Sequence, residues 1–214
     1  MKIESLQQDF NQFVLDKNHP CIMAQTVFNQ DNVSLHDYEH ITDVKQSKKL
    51  LTDLNNYITN YNFESKKMKS FIAVFSKEPS VTEKEFEQKL WQQLQLLSNL
   101  DTHPWDKEVN KNPDHKDFSF SLLGKSFYVV GMHPNSSRIA RKSPYFALVF
   151  NLHWQFEKLR EMNTYTSVRN RIRKRDEKLQ GSINPMLEDF GESSEARQYS
   201  GRKVEENWKC PFHK

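Results

Sequence analysis

A short polar segment, residues 131–141, is enclosed by two apolar runs, Phe127 to Val130 and Tyr145 to Phe150. Short runs of apolar, aromatic and β-branched residues are typical of buried strands. The polar segment between them holds a histidine, two serines and two arginines, which are His133, Ser136, Ser137, Arg138 and Arg141. Because functional groups are often carried at the end of a rigid sheet, we expect this loop to contribute to a site for a small molecule.

The remaining pattern predicts an α+β fold with a mainly antiparallel sheet of about five strands and helices packed largely on one face. The predicted strands begin at Cys21, Phe71, Phe118, Phe127 and Tyr145. Apolar residues at helical spacing predict a helix over 3–14 and another over 44–61, and Thr82 with Glu85 forms a capping box before a third. Asn151 is expected to cap one long helix in which Phe156, Leu159 and Met162 face inward.

The chain of 214 residues is predicted to form a single domain over 1–180 and a C-terminal arm over 181–214 that packs on it. The arm is rich in Gly, Ser, Glu and Asn, but it ends in the aromatic segment Trp208 to His213, which favours docking on the domain. The sequence shows neither an apolar leader nor an apolar run long enough for a membrane span, so we expect a cytoplasmic protein that does not interact with a membrane.

The formal net charge of +3 argues against a general nucleic-acid binder, and the basic run at 169–175 is interpreted as a solvated helix face. Histidines at 103, 115, 133 and 153 lack the spacing of a zinc knuckle or an HExxH helix. Nucleotide-binding glycine loops and a Gly-x-Ser-x-Gly nucleophile elbow are also missing from the sequence. Hydrolase, zinc-enzyme and nucleotide-binding classes are therefore disfavoured.

Several side chains leave a structural and a functional interpretation open. Cys21 is either a small buried apolar residue or a thiolate ligand to heme iron, and Cys210 is a second possible thiolate. His133 either stabilises its loop or acts as a ligand, and Arg138 with Arg141 either forms surface salt bridges or grips an anion. Glu157 could bind a cationic substrate or lie on a solvated helix face.

The segments Gly131 to Arg141 and Leu148 to Arg160 resemble the signature of the YqcI/YcgG family. Supporting similarity comes from Pro20-Cys21, from His103-Pro104-Trp105 and from the closing segment Trp208 to His213. Characterised members of that family are heme-dependent oxygenases that hydroxylate nitrogen, notably on guanidino groups, in the biosynthesis of cycloserine and guanitoxin. The resemblance therefore implies a bound heme b and N-hydroxylation of a small amino-acid-like guanidino or amine substrate, with dioxygen and an electron donor or with peroxide.

The resemblance also implies roles for individual residues. Cys21 is the first choice as axial iron ligand, with His133 and then Cys210 as alternatives. The other implied cofactor contacts are Arg138 and Arg141 to the propionates, together with His103 and Trp105. Ser136, Ser137 and His153 are the expected catalytic residues, and Glu157, Phe150 and Trp154 the expected substrate contacts. Two other classes stay open, a heme-binding sensor or carrier without catalysis and a protein-interaction module without cofactor; a homodimer is also conceivable.

Overall fold

The computed structural model describes residues 3–65, 67–186 and 188–214. Residues 1 and 2, at the start of the predicted domain, and positions 66 and 187 lie outside the described residues. In chain order the helices are α1 (Ile3–Asn11, continued by a π-helical segment Gln12–Asp16), α2 (Ile22–Asn29), α3 (Val44–Thr59), α4 (Glu83–Leu100), α5 (His153–Glu161), α6 (Tyr165–Gln180) and α7 (Ala196–Tyr199). The strands are β1 (Val33–Asp37), β2 (Ser70–Phe75), β3 (Phe120–Leu122), β4 (Lys125–Met132) and β5 (Phe146–Leu152).

The strands form one mixed sheet in the order β1-β2-β5-β4-β3. β1 pairs with β2 in parallel, and the other neighbouring strands are antiparallel. The two residues between β3 and β4, Leu123 and Gly124, have φ angles of 56° and 71°, as a tight hairpin turn requires. The predicted α+β class and the mainly antiparallel sheet are confirmed.

One predicted strand is wrong, because the segment that begins at Cys21 forms helix α2. Cys21 is the N-cap, and its sulfur accepts a hydrogen bond from the Ala24 backbone N–H at 3.4 Å. A cap of this kind satisfies one of the free N–H groups at a helix start. The fifth strand is instead β1, whose edge position and polar residues give it a weak sequence signal.

Side chains alternate between the two sides of the sheet and define two faces. On what we call the aromatic face, Phe71, Ala73 and Phe75 pack with α3, α4 and the C-terminal segment. On what we call the cavity face, Ile72 and Val74 pack with α1 and α2. Helices therefore cover both faces rather than largely one, because the central strands are apolar on both sides.

The helix predicted to follow Asn151 is divided into α5 and α6. Leu152 takes the N-cap position, and Asn163 adopts a left-handed conformation with a φ of 54° between the two helices. Met162, expected to face inward, is 39% exposed. The division turns α6 away from α5 and places it over the cavity face, where it contacts α2.

The last residues of the chain lie against the aromatic face. Phe212 is buried, with ring centroids 5.4 Å from Phe120 and 5.9 Å from Trp105. The Gln95 side chain donates a hydrogen bond to the His213 carbonyl at 3.0 Å and accepts one from the His213 N–H at 2.9 Å.

Within the described residues, the helices are too short or too polar to cross a membrane.

Candidate functional site

A cavity of about 330 Å³ lies between the cavity face of the sheet and the helices α1, α2, α5 and α6. This volume is in the range of small-molecule sites. Most of the wall is apolar, and the sheet contributes Ile72, Val130, Met132 and Val149. Polar and titratable side chains interrupt this wall at His19, Cys21, Arg138, Arg141, His153, Arg160, Asp176, Asp189 and Glu195, among others.

Cys21 lies on the cavity wall at the N-terminus of α2. Burial raises the pKa of its thiol, while the hydrogen bonds from the helix N-terminus and the charges of Arg141 and Arg175 act in the opposite direction. A thiol in this position is held protonated by its apolar surroundings, yet the groups that stabilise a thiolate are already in place. Coordination of a metal would remove the proton.

His19 fixes the geometry of Cys21, and the sequence interpretation missed it. Its Nε2 donates to the Ala140 carbonyl at 2.8 Å, so Nδ1 is the atom that accepts the Cys21 backbone N–H at 3.2 Å. Burial lowers the pKa of His19 and keeps the ring neutral. The histidine thereby joins Cys21 to the predicted site loop of residues 131–141.

Arg175 also holds the turn from Asn18 to Cys21. Its guanidinium donates to the carbonyls of Pro20 and His19 at 3.1 and 2.9 Å and to Asn18 Oδ1 at 2.7 Å. The sequence predicts that the basic run is a solvated helix face, but Arg175 binds backbone next to the candidate site. The sequence does not distinguish Arg175 from the charged residues on either side of it.

Arg138 and Arg141 both line the cavity, in different environments. Arg138 forms a buried ion pair with Asp176 and donates to the Ser182 carbonyl at 2.8 Å. Arg141 donates to the backbone carbonyls of Gly131 and Gln198 at 3.0 and 3.3 Å. Among the ion pairs of the described residues, none involves Arg141, so its charge is balanced by carbonyl dipoles.

His133 lies on the aromatic face, not in the cavity. It continues the alternation of Phe127, Val129 and Gly131 along β4, and its ring stacks on Phe86 with centroids 4.2 Å apart. Within the described part of the chain, neither ring nitrogen has a hydrogen-bond partner, and burial lowers the pKa. The ring of His133 therefore lies away from the cavity, and the sheet separates it from Cys21.

Other predicted cofactor contacts are also remote from the cavity wall. His103 is exposed and hydrogen-bonded to Asp101 at 2.8 Å. Trp105 packs on Phe212, and Cys210 is buried in the same cluster. All three lie outside the cavity because the segments that carry them cover the aromatic face or its rim.

The two predicted serines make local contacts in the loop. Ser136 is buried and its hydroxyl accepts the Arg138 N–H at 3.3 Å. Ser137 donates to Glu83 at 2.8 Å at the start of α4. Their hydroxyls stabilise the loop, and within the described residues neither is part of the cavity wall.

Of the remaining predicted residues, His153 reaches the cavity. Its Nε2 donates to Glu157 at 3.0 Å, its pKa is lowered by burial, and its ring contacts Phe190 edge-on at 4.4 Å. Glu157 is 45% exposed and paired with Arg160, outside the wall. Phe150 belongs to the aromatic face, and Trp154 packs on Tyr61 with centroids 5.7 Å apart.

Glu195 is another residue that the sequence interpretation missed. It lines the cavity from the polar arm, where nothing in the surrounding sequence distinguishes it. The Tyr199 hydroxyl donates to its carboxyl at 3.2 Å. Burial raises the pKa of Glu195 to about 8.

Residues 3–65, 67–186 and 188–214 contain no group of three or more His, Cys, Asp or Glu side chains arranged to hold a metal ion. Heme brings the ring nitrogens that hold its iron and needs one axial side chain from the protein. Cys21 supplies such a donor on an apolar wall, and Arg141 supplies a cation without a carboxylate partner. The residues present therefore fit heme better than a bare metal ion.

Fold and site together define an α+β protein whose cavity has one thiol at a helix N-terminus and arginines on an otherwise apolar wall. Residues 10–213 match the YqcI/YcgG family, and the chain belongs to that family. It is 29% identical to the protein YqcI of Bacillus subtilis (strain 168), described as uncharacterized, over 95% of this chain and 85% of that one. It is 25% identical to YcgG of the same organism, also described as uncharacterized, over 90% and 80%. No solved structure matches the chain.

Proposed function

We propose that this protein is a heme-dependent oxygenase that hydroxylates a guanidino or amino nitrogen of a small amino-acid-like substrate. The observation that carries the proposal is the position of Cys21 Sγ, at the N-terminus of α2 on the wall of an apolar cavity. Bound heme b would supply oxygen activation, using peroxide or dioxygen with an external electron donor. The family resemblance supports the nitrogen substrate.

Cys21 would hold the iron through its sulfur. The Ala24 N–H, together with the charges of Arg141 and Arg175, stabilises the deprotonated form that coordination requires. His19 and Arg175 fix the backbone of the turn, so the sulfur has a defined direction. The apolar wall excludes water from the reacting groups.

Arg141 is the stronger candidate for binding a propionate. Arg138 is already neutralised by Asp176, whereas the guanidinium of Arg141 contacts carbonyls and no carboxylate among the described ion pairs. A carboxylate on the ligand would therefore complete the charge balance of Arg141. His153 would move protons, because its ring lies on the wall and its Nε2 contacts the solvent-exposed Glu157.

The first test is reconstitution with hemin. The wild type should bind heme stoichiometrically, and the ferrous carbonyl complex should absorb at about 450 nm for a thiolate ligand. Cys21→Ala should lose this band, and Cys21→His should move it to about 420 nm. His133→Ala and Cys210→Ala are the matched controls and should leave it unchanged, because both residues lie on the aromatic face. Absence of stoichiometric heme binding would refute the proposal.

The second test is turnover of the reconstituted protein with arginine or a small amine, supplied with peroxide or with dioxygen and a reductant. The expected product carries a hydroxyl on nitrogen and is detected by its added oxygen mass. A heme-loaded protein that gives no such product with any of these substrates would be a sensor or carrier instead.

A further inference from the structure

The carboxylates on the cavity wall differ in whether a cation neutralises them. Asp176 pairs with Arg138, and Asp189 pairs with Arg169 and Arg173. Arg138 belongs to the loop of residues 131–141, and Arg169 and Arg173 belong to α6, so both acids are neutralised by arginines of these two segments. Glu188 is exposed to solvent.

Glu195 is the exception on this wall. It is 5% exposed, and hydroxyl groups of Tyr199 and Ser119 are its hydrogen-bonding partners. Among the described residues, no basic side chain forms an ion pair with it. Arg160 favours its ionised form through space, but the guanidinium of Arg160 is bonded to Glu157.

A buried carboxyl without a cation is costly in its ionised form and acceptable in its neutral form. The pKa of about 8 means that Glu195 is mostly protonated at neutral pH. The groups that act on it are Tyr199, Ser119, Arg160 and Glu157, and Tyr128 also senses its charge. None of these neighbours, all within the described residues, forms an ion pair with Glu195. A ligand cation that reached the carboxyl would therefore supply the missing positive charge.

We propose that Glu195 forms a subsite of this cavity that binds the cationic group of the ligand, a guanidinium or an ammonium. The identification of that ligand as the substrate rests on the proposed function, whereas the cation subsite itself does not. Glu157, the carboxylate that the family resemblance implies as a substrate contact, is unsuited because its side chain is 45% exposed and already paired with Arg160.

Calorimetry with arginine and agmatine as cationic probes tests the subsite, and citrulline serves as the neutral probe that replaces the guanidinium of arginine by a urea. The wild type should bind the two cations and should bind citrulline more weakly. Glu195→Gln should reduce cation affinity by roughly 30-fold or more, because a buried charge pair is lost. Glu161→Gln is the matched control, with the same charge change at an exposed position of α5 outside the wall, and should retain affinity.

Proton release gives an independent readout. Because Glu195 is neutral before binding, each bound cation should release close to one proton at neutral pH, measured as a dependence of the binding heat on buffer ionisation. Glu195→Gln should abolish this release. Failure of the wild type to bind either cation, or equal affinity in Glu195→Gln, would overturn the proposal.

The measurement is made on both the heme-loaded and the heme-free protein, so that the two proposals can fail separately. Cation binding without heme binding would refute the oxygenase and keep the subsite. Heme binding together with unaltered cation affinity in Glu195→Gln would refute the subsite and leave the oxygenase proposal standing.

Discussion

The two faces of the sheet use the same strands in different ways. On the aromatic face the paired positions are large, as in Phe71 opposite Phe150 and Phe75 opposite Phe146. On the cavity face the pairs are smaller, as in Ile72 opposite Val149. Large rings fill the space beneath α3 and α4, whereas the shorter side chains leave room beneath α6. The alternation of large and smaller side chains along the strands thus gives one face a filled core and leaves a cavity on the other.

The faces also differ in how their covering segments are held. Trp91, Phe118 and Phe212 form a continuous aromatic cluster on one side. On the other side α6 has one buried residue, Asp176, and it is attached through Arg138 and Arg175. Apolar burial therefore holds the segments that cover the aromatic face, while an ion pair and backbone hydrogen bonds hold α6 over the cavity face.

The sharpest test compares neighbouring positions on β5 that point to opposite faces. Phe150→Ala should lower the free energy of unfolding by about 3–5 kcal/mol, because it removes a fully buried ring. Val149→Ala should cost roughly 1 kcal/mol, because its side chain lines a cavity. Urea denaturation measures both. Equal losses would show that the two faces are packed alike.

A smaller loss of unfolding free energy is expected when the ion pair between Arg138 and Asp176, which attaches α6, is removed. Arg138→Met leaves Asp176 buried without its partner and should cost about 3 kcal/mol. The double variant Arg138→Met with Asp176→Leu should recover most of this loss, because no charge is then left buried. The same urea titration reports the result, and a double variant as unstable as the single one would argue against the ion pair as the main contact.

The smallest effect concerns pH. The lowered pKa of His19 means that the folded state binds fewer protons than the unfolded state. Its contribution to stability is therefore complete above the unfolded pKa of about 6.5 and declines as the pH falls below it. His19→Gln should flatten the dependence of unfolding free energy on pH between about 5 and 7. An unchanged slope would show that His19 is protonated equally in both states.

Local signals predicted the elements that depend on neighbours in sequence. The capping box of Thr82 and Glu85 forms as expected, and the strands predicted from Phe118 and Phe127 pair with each other as β3 and β4. The run from Cys21 to Phe28 is short and mostly apolar, a composition that suits a buried strand or a helix equally. The cap at Cys21 and the contacts of α2 with α6 decide in favour of the helix.

The site could be predicted only in part. Cys21, Arg138, Arg141 and His153 do lie on one cavity wall. Glu195 reaches this wall through the fold, and Arg175 holds the turn beside the wall, 155 residues from the carbonyl that it binds at Pro20. The spacing of residues in the sequence does not predict contacts between segments so far apart. The position of His133, by contrast, follows from extending the alternation of β4 by one residue.

Both edges of the sheet are short, since β1 has five residues and β3 has three. An exposed strand edge is a template on which another chain can add a strand, and short or polar edges limit this. β1 also carries the polar side chains of Ser34, His36 and Asp37. The protein should accordingly resist aggregation through its sheet at high concentration.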